Sequence, residues 1–243
     1  MLAVGKKIMF SGLLSALFAA SSPSWAAIYF GEDLGLGEGP TRIAVFPNSS
    51  TAQSNFLSQL VGVGIETFEA PDQTAGQTAP LVLTFPGAGT ATLSGGGSIT
   101  AVAPGGTNGF GRFGTSGVQY WEATQTFGIN FSDPVAAFGF YGIDIGDCKG
   151  QVTVTAINGG TNVYNVGNTL NGPGGSVLFW GLIDTINPIS SVAFGNTNPG
   201  TDFFAFDDMI IGSAKQVIPE PGSLALLGLG LAGLATVRRR KSL

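Results

Sequence analysis

The chain has 243 residues with 39 glycines and 13 prolines, 44% hydrophobic residues, 18 phenylalanines, a formal charge of −5 and no histidine. Glycine and proline stay below the level of about 25–30% that marks low-complexity disorder, and the apolar content suffices for a packed core, so a folded body of one domain is expected. The missing histidine excludes Ser-His-Asp and Cys-His catalysis and His-based zinc sites, and the solitary Cys148 excludes an intramolecular disulfide.

In chain order, Lys6-Lys7, the apolar run Ile8 to Ala20 and the small residues of Ser24-Trp25-Ala26 have the layout of a secretory signal peptide. Residues 1–26 are assigned to it, with cleavage by signal peptidase expected after Ala26. Residues 27–215 form the body. Its fourteen acids against Arg42, Arg112, Lys149 and Lys215 leave it at −10, which disfavours nucleic acid and anionic lipid and favours divalent cations or neutral partners. Phe56, Leu57 and Leu60 recur at helical spacing and predict one short helix over 51–60, capped by Ser50 or Thr51. From residue 80 onward the period is two. Strands are predicted over 81–85, 126–131, 135–143, 152–157, 162–166, 177–182, 190–194 and 203–211, with Asn158-Gly159 as a hairpin turn. Many short strands, glycine-rich turns and one helix predict a mainly-β fold, an antiparallel β-sandwich of jelly-roll type.

Gly109, Gly111 and Gly114 satisfy a GxGxxG spacing, but a strand and not a helix is predicted to follow, so no dinucleotide site is expected. Carboxylates remain as candidates. Glu66 and Glu69 flank Phe68, Asp207-Asp208 interrupt the last apolar strand, and Asp144 and Asp147 share a turn with Gly146. Alternation sends either Asp207 or Asp208 toward the core unless a bulge intervenes. A buried unpaired carboxylate is costly, and calcium, which takes about six to eight oxygen ligands, would remove that cost. Glu66, Glu69, Asp207 and Asp208 are therefore the candidate metal ligands. Among the aromatics, Trp180 is expected in the core, and Tyr120-Trp121 beside Glu122 is the candidate platform for stacking a sugar ring.

Residues 216–243 form a three-part tail. Ile218-Pro219-Glu220-Pro221 is held extended by its prolines. The sixteen apolar residues Gly222 to Val237 follow as a hydrophobic helix. It reaches roughly 24 Å, against a hydrocarbon core about 30 Å thick. Arg238-Arg239-Arg240-Lys241 then form a basic stop, which holds that end in the cytoplasm and the body on the other side, a transient single pass through the inner membrane.

Pro219-Glu220-Pro221, the Leu/Gly/Ala segment and Arg238-Arg239-Arg240, in this order, resemble the PEP-CTERM sorting signal of exported bacterial proteins, with Ile218 where Val is usual. The resemblance covers only the tail. It implies handling by an exosortase, a membrane-embedded cysteine protease, in a host that is mostly Gram-negative and makes extracellular polysaccharide. The run from Glu66-Thr67-Phe68-Glu69 to Phe206-Asp207-Asp208 is similar to calcium-stabilised carbohydrate-binding jelly rolls. That similarity implies a structural calcium shared by an early acid and an Asp near the last strand, and an extracellular polysaccharide as partner. The expected function is that of an exported, non-catalytic protein of the cell surface or biofilm matrix. The alternative is a secreted hydrolase using paired carboxylates on polysaccharide. A small domain without a long loop that combines charged and aromatic residues favours the first.

Overall fold

The computed structural model describes residues 26–35, 37–146, 152–196 and 202–215. The signal-peptide segment and the tail, with Ile218 to Pro221 and Arg238 to Lys241, lie outside them, as do Asp147 and Cys148. Among the described residues there are eleven strands and one helix: β1 (Ala26–Asp33), α1 (Pro47–Ser58), β2 (Leu60–Glu66), β3 (Leu81–Phe85), β4 (Gly89–Ala101), β5 (Gln119–Val135), β6 (Ala137–Ile143), β7 (Val152–Ile157), β8 (Thr161–Asn165), β9 (Val177–Asp184), β10 (Ile189–Asn196) and β11 (Phe204–Ala214).

The strands pair antiparallel in the order β1-β9-β6-β11-β5-β10-β7-β8, with β2 joined to β11, β4 to β5 and β3 to β4. The expected antiparallel β-sandwich with one short helix is the fold observed. The 17-residue β5 curls the sheet onto itself. Its first half pairs with β11 (Trp121↔Phe206, Ala123↔Phe204), and its second half pairs with β10 (Phe127↔Phe194, Ile129↔Val192). One layer thus holds β1, β9, β6, β11 and β2. The other holds β3, β4, β5, β10, β7 and β8.

The core between the layers is aromatic. Phe127 stacks on Phe194 at 4.3 Å, Phe206 meets Phe127 edge-on at 5.0 Å, and Phe140, Trp180 and Trp121 close around them. In β6 and β9 the even positions (Phe138, Phe140, Trp180, Leu182) face this core, while the odd positions (Tyr141, Ile143, Val177, Phe179) pack on the other side in a second cluster with Ala52 and Phe56 of α1. Burial on both faces explains why Val177 to Leu182 is a continuous apolar run and not an alternation.

The helix begins at Pro47, earlier than the expected start at 51, and neither Ser50 nor Thr51 caps it. Proline at the first turn has no N–H to leave unpaired. The capping oxygens come from β1: Asn48 N (3.1 Å) and Ser49 N (2.8 Å) donate to the Asp33 carboxylate, and Ser49 Oγ donates to it as well. Phe56 lies over Gly139 and Gly181, which face each other across β6 and β9. A Cβ on Gly181 would stand 2.8 Å from the Phe56 ring, so only glycine leaves room for it. The helix covers the first layer. On the second layer the outward residues Thr92, Ser94, Thr126 and Asn130 are exposed.

Candidate functional site

Three of the four candidate acids, Glu69, Asp207 and Asp208, meet the loop from Phe113 to Gln119, whereas Glu66 is bound by Phe68 and Thr84, and all four are engaged by protein donors. Glu66, buried at the end of β2, accepts from Phe68 N (2.8 Å) and Thr84 N (2.7 Å), which holds Phe68 at a φ of 58°. Glu69 accepts from Val118 N (2.6 Å) and from Gln119 N, and lies so close to Gly117 that a side chain there would collide with its carboxylate. On the opposite side of the loop, Asp207 accepts from Ser116 N at 3.0 Å, and Asp208 accepts from Ser116 Oγ at 2.6 Å. Thr115 Oγ1 lies 3.0 Å from Asp207 Oδ2 and 2.9 Å from Asp208 Oδ2.

The alternation argument is resolved by a bulge. The register of β11 against β6 shifts between Asp207 and Ile210, and Asp208 takes a φ of 44°. Both carboxyls can therefore turn to the same loop, while Phe206 and Met209 enter the core. Asp207 is wholly buried and its Oδ1 has no partner. Burial, and then the neighbouring Asp208, push the Asp207 carboxyl well above the usual carboxylate range; burial also raises Asp208 and Glu66. The geometry agrees. Thr115 Oγ1 owns one hydrogen and can donate to only one of its two carboxyl neighbours, so the other contact is satisfied when that carboxyl carries a proton and donates to the hydroxyl. Among the described residues no three His, Cys, Asp or Glu side chains stand together as a metal would require.

Asp144 forms a buried ion pair. Arg112 donates from Nε to Glu122 (2.8 Å) and from Nη1 to Asp144 (3.2 Å), its guanidinium lying between the rings of Phe110 and Phe203 at 5.6 and 5.7 Å. Of the GxGxxG glycines only Gly111 serves this packing, since a Cβ there would stand 2.8 Å from Asp144 Oδ1, whereas Gly109 faces open space and Gly114 lies against Gln119 O and Ser116 O. The expectation for Tyr120 and Trp121 is corrected. Both are fully buried, because the first half of β5 is covered on both sides: Trp121 enters the core between the layers and Tyr120 the cluster beneath α1. Neither offers a face to a sugar.

A concave feature among the described residues lies elsewhere. A groove of about 480 Å³ runs over the bare outer face of the second layer, across β4, β5, β10 and β7. Ser94, Thr126, Asn130, Thr155, Ser191 and Ala193 line this open trough together with Gly95, Gly128 and Gly195, and no ionisable residue takes part. These positions were not among the sequence candidates. Their signal was there to be found: strands of Thr, Ser and Asn alternating with apolar residues and free of charge.

The described residues form a mainly antiparallel β-sandwich whose open groove has no ionisable residue in its lining, and the comparisons add a sorting tail. Residues 217–241 match the family model of the PEP-CTERM protein-sorting motif. No curated protein sequence matches the chain. Among solved structures, the K2 cleaved adhesin domain of Lys-gingipain is similar at 12% identity and a TM-score of 0.41, covering 63% of this chain and 98% of that one. The C-terminal family 22 carbohydrate-binding module of Clostridium thermocellum Xyn10B is similar at 14% identity and a TM-score of 0.36, over 63% and 95% of the two chains. The CBM22-1 xylan-binding domain from Paenibacillus barcinonensis Xyn10C follows at 15% and 0.34, over 62% and 94%. The likeness is one of fold.

Proposed function

We propose that the protein is an exported, non-catalytic β-sandwich that is sorted by an exosortase through its tail and contacts extracellular polysaccharide at the surface or in the matrix of a Gram-negative cell. The match of residues 217–241 to the PEP-CTERM sorting motif carries this reading, because that motif implies export, a membrane-anchoring tail and release to the outside. A hydrolase of the alternative kind needs two carboxyls roughly 5–9.5 Å apart in a cleft. The groove here is lined by no ionisable residue, and the acids around Thr115 are occupied by N–H and O–H donors. In a native gel containing dissolved polysaccharide, the exported protein is expected to be retarded without releasing new reducing ends. Release of reducing ends would restore the hydrolase.

The calcium implied by the resemblance is supported at two of the four acids. Glu66 and Glu69 are taken up by backbone N–H groups, whereas Asp207 has an orphaned, buried oxygen beside Asp208. A cation binding there would displace the shared proton. At a hundred times its Kd it would stabilise the fold by about 2.7 kcal/mol. The melting temperature of the full chain is expected to rise in millimolar calcium at pH 8 and fall with chelator, and Asp208→Ala, but not Asp133→Ala, abolishes the difference. Identical melting curves with calcium and chelator would end the calcium assignment.

A further inference from the structure

The geometry points to the groove on the second layer as a binding site for a chain of neutral sugars, recognised through hydroxyl and amide groups without any charge and without aromatic stacking; this rests on the polysaccharide reading above. The composition of the layer is the first observation. The body carries a formal −10, yet β3, β4, β7, β8 and β10 contain no Asp, Glu, Lys or Arg, and β5 carries only Glu122 and Asp133, outside the part that lines the groove. An exposed sheet face in water ordinarily carries Lys, Glu or Arg, which are among the residues least often buried and help guard a sheet against sticking to others. Here the outward positions around the groove are Thr, Ser, Asn, Gly and Ala, with Val82, Ile157 and Val163 exposed toward the margins of the layer.

Register is the second observation. Thr92, Asn130 and Ser191 lie side by side across β4, β5 and β10, with the apolar Ile157 ending that row on β7, and the next row is Ser94, Gly128, Ala193 and Thr155. Strands about 4.8 Å apart thus present hydroxyl and amide groups on either side of a floor of Gly128 and Ala193. Each of those groups both donates and accepts, as sugar hydroxyls do. An acidic glycan would meet no cation in the groove and an overall negative body, and a cationic ligand would find no carboxylate in it. A small apolar ligand would find no aromatic wall. Without an aromatic anchor each sugar contributes little, so affinity should come from several sugars lying along an open trough, and it should not depend on salt.

The test uses the full-length chain in a detergent without a sugar headgroup, with dextran, laminarin, xylan and galactomannan as neutral probes and alginate as the acidic one. Expected is binding to at least one neutral polymer that strengthens with chain length and changes less than about 2-fold between 20 and 500 mM salt, because no ion pair is made. Ala193→Arg, at an exposed position, should fill the trough and remove binding. The near-isosteric Thr155→Val, which removes only one hydroxyl, should weaken binding about 2- to 10-fold. Unchanged melting temperatures for both variants show that the fold is intact. If Ala193→Arg and Thr155→Val bind like the wild type, the site falls while the polysaccharide reading stands. Preference for alginate that is lost in salt overturns the neutral class. If none of the five polymers binds, the polysaccharide reading falls as well. A concentration-dependent dimer that Ala193→Arg converts to monomer assigns the face to a second copy of the chain and overturns the proposal.

Discussion

Asp207 shows how one residue sets a property of the whole domain. Its carboxyl is buried against Asp208, and one threonine hydroxyl cannot donate to both. Glu66, Asp207 and Asp208 all have folded-state values raised by burial, so the folded chain binds protons that the unfolded chain releases. The stabilisation is complete below the unfolded carboxylate range near pH 4 and is lost as pH rises through the raised folded values. A calcium-free sample is therefore expected to melt higher at pH 5 than at pH 8. About 1 kcal/mol moves the melting temperature of a domain this size by roughly 2–4 °C, so the difference is measurable. Asp207→Asn should flatten this dependence, and a wild type that melts higher at pH 8 would contradict it. The acids themselves were legible in the sequence, since a strand of alternating phenylalanines interrupted by Asp207-Asp208 is anomalous. Their partners were not. Thr115 and Ser116 lie some ninety positions away, and the positive φ of Asp208 that turns both carboxyls to one loop leaves no trace in the alternation. Tyr120 and Trp121 were misplaced for a related reason: β5 belongs to both layers, so its first half is covered on both faces.

At the scale of elements, α1 depends on the sheet beneath it more than on its own sequence. It has no acid in its first turn, no base in its last, and the residue preceding it, Phe46, supplies no capping side chain. What fixes it is Phe56 seated on Gly139 and Gly181 and the Asp33 carboxylate at its N-terminus. Phe56→Ala is expected to cost about 3–5 kcal/mol, as for a phenylalanine removed from a closed core. Asp33→Ala should cost about 0.5–2 kcal/mol through the lost cap. Denaturant titration measures both, and a smaller effect of Phe56→Ala than of Asp33→Ala would contradict this ranking. The strands after residue 80 were readable because hydrophobic alternation survives in them. Those that were missed are broken by glycine: β1 contains Gly31, β2 contains Gly62 and Gly64, and β4 carries Gly95-Gly96-Gly97 where its pairing with β5 slips by a bulge. A glycine run reads as loop, yet here it lets a long strand follow the curl of the sheet. The helix was found, but Pro47 marked its start better than the serines and threonines that follow.

At the scale of the whole molecule, the described elements fill the interval between the expected signal peptide and the matched sorting motif. Pairing of β1 with β9 begins at Ala26↔Asp184, at the expected signal-peptidase site, and β11 ends at Ala214 with Lys215 N donating to Gln59 O at 2.8 Å. A body whose strands end there should keep its sheet when both segments are removed. The exported protein is therefore expected to lack Met1 to Ala26 and the segment beyond about Pro221, and intact-mass analysis tests both ends at once. Changing Pro219, Glu220 and Pro221 to Ala should leave export intact, because the expected N-terminal signal is separate, but should block release, so that Arg238 to Lys241 remain on the chain. Protease added to spheroplasts carrying that variant should digest the body, since the basic stop holds only the far end inside. The retained and released forms should also melt within a degree or two of each other, since the strand pairings of residues 27–214 draw on neither segment and cleavage after Ala26 removes only the terminal Ala26↔Asp184 pair from both. A mature wild type that still carries Arg238 to Lys241 would reduce the tail to a plain anchor, and a protected body would reverse the topology.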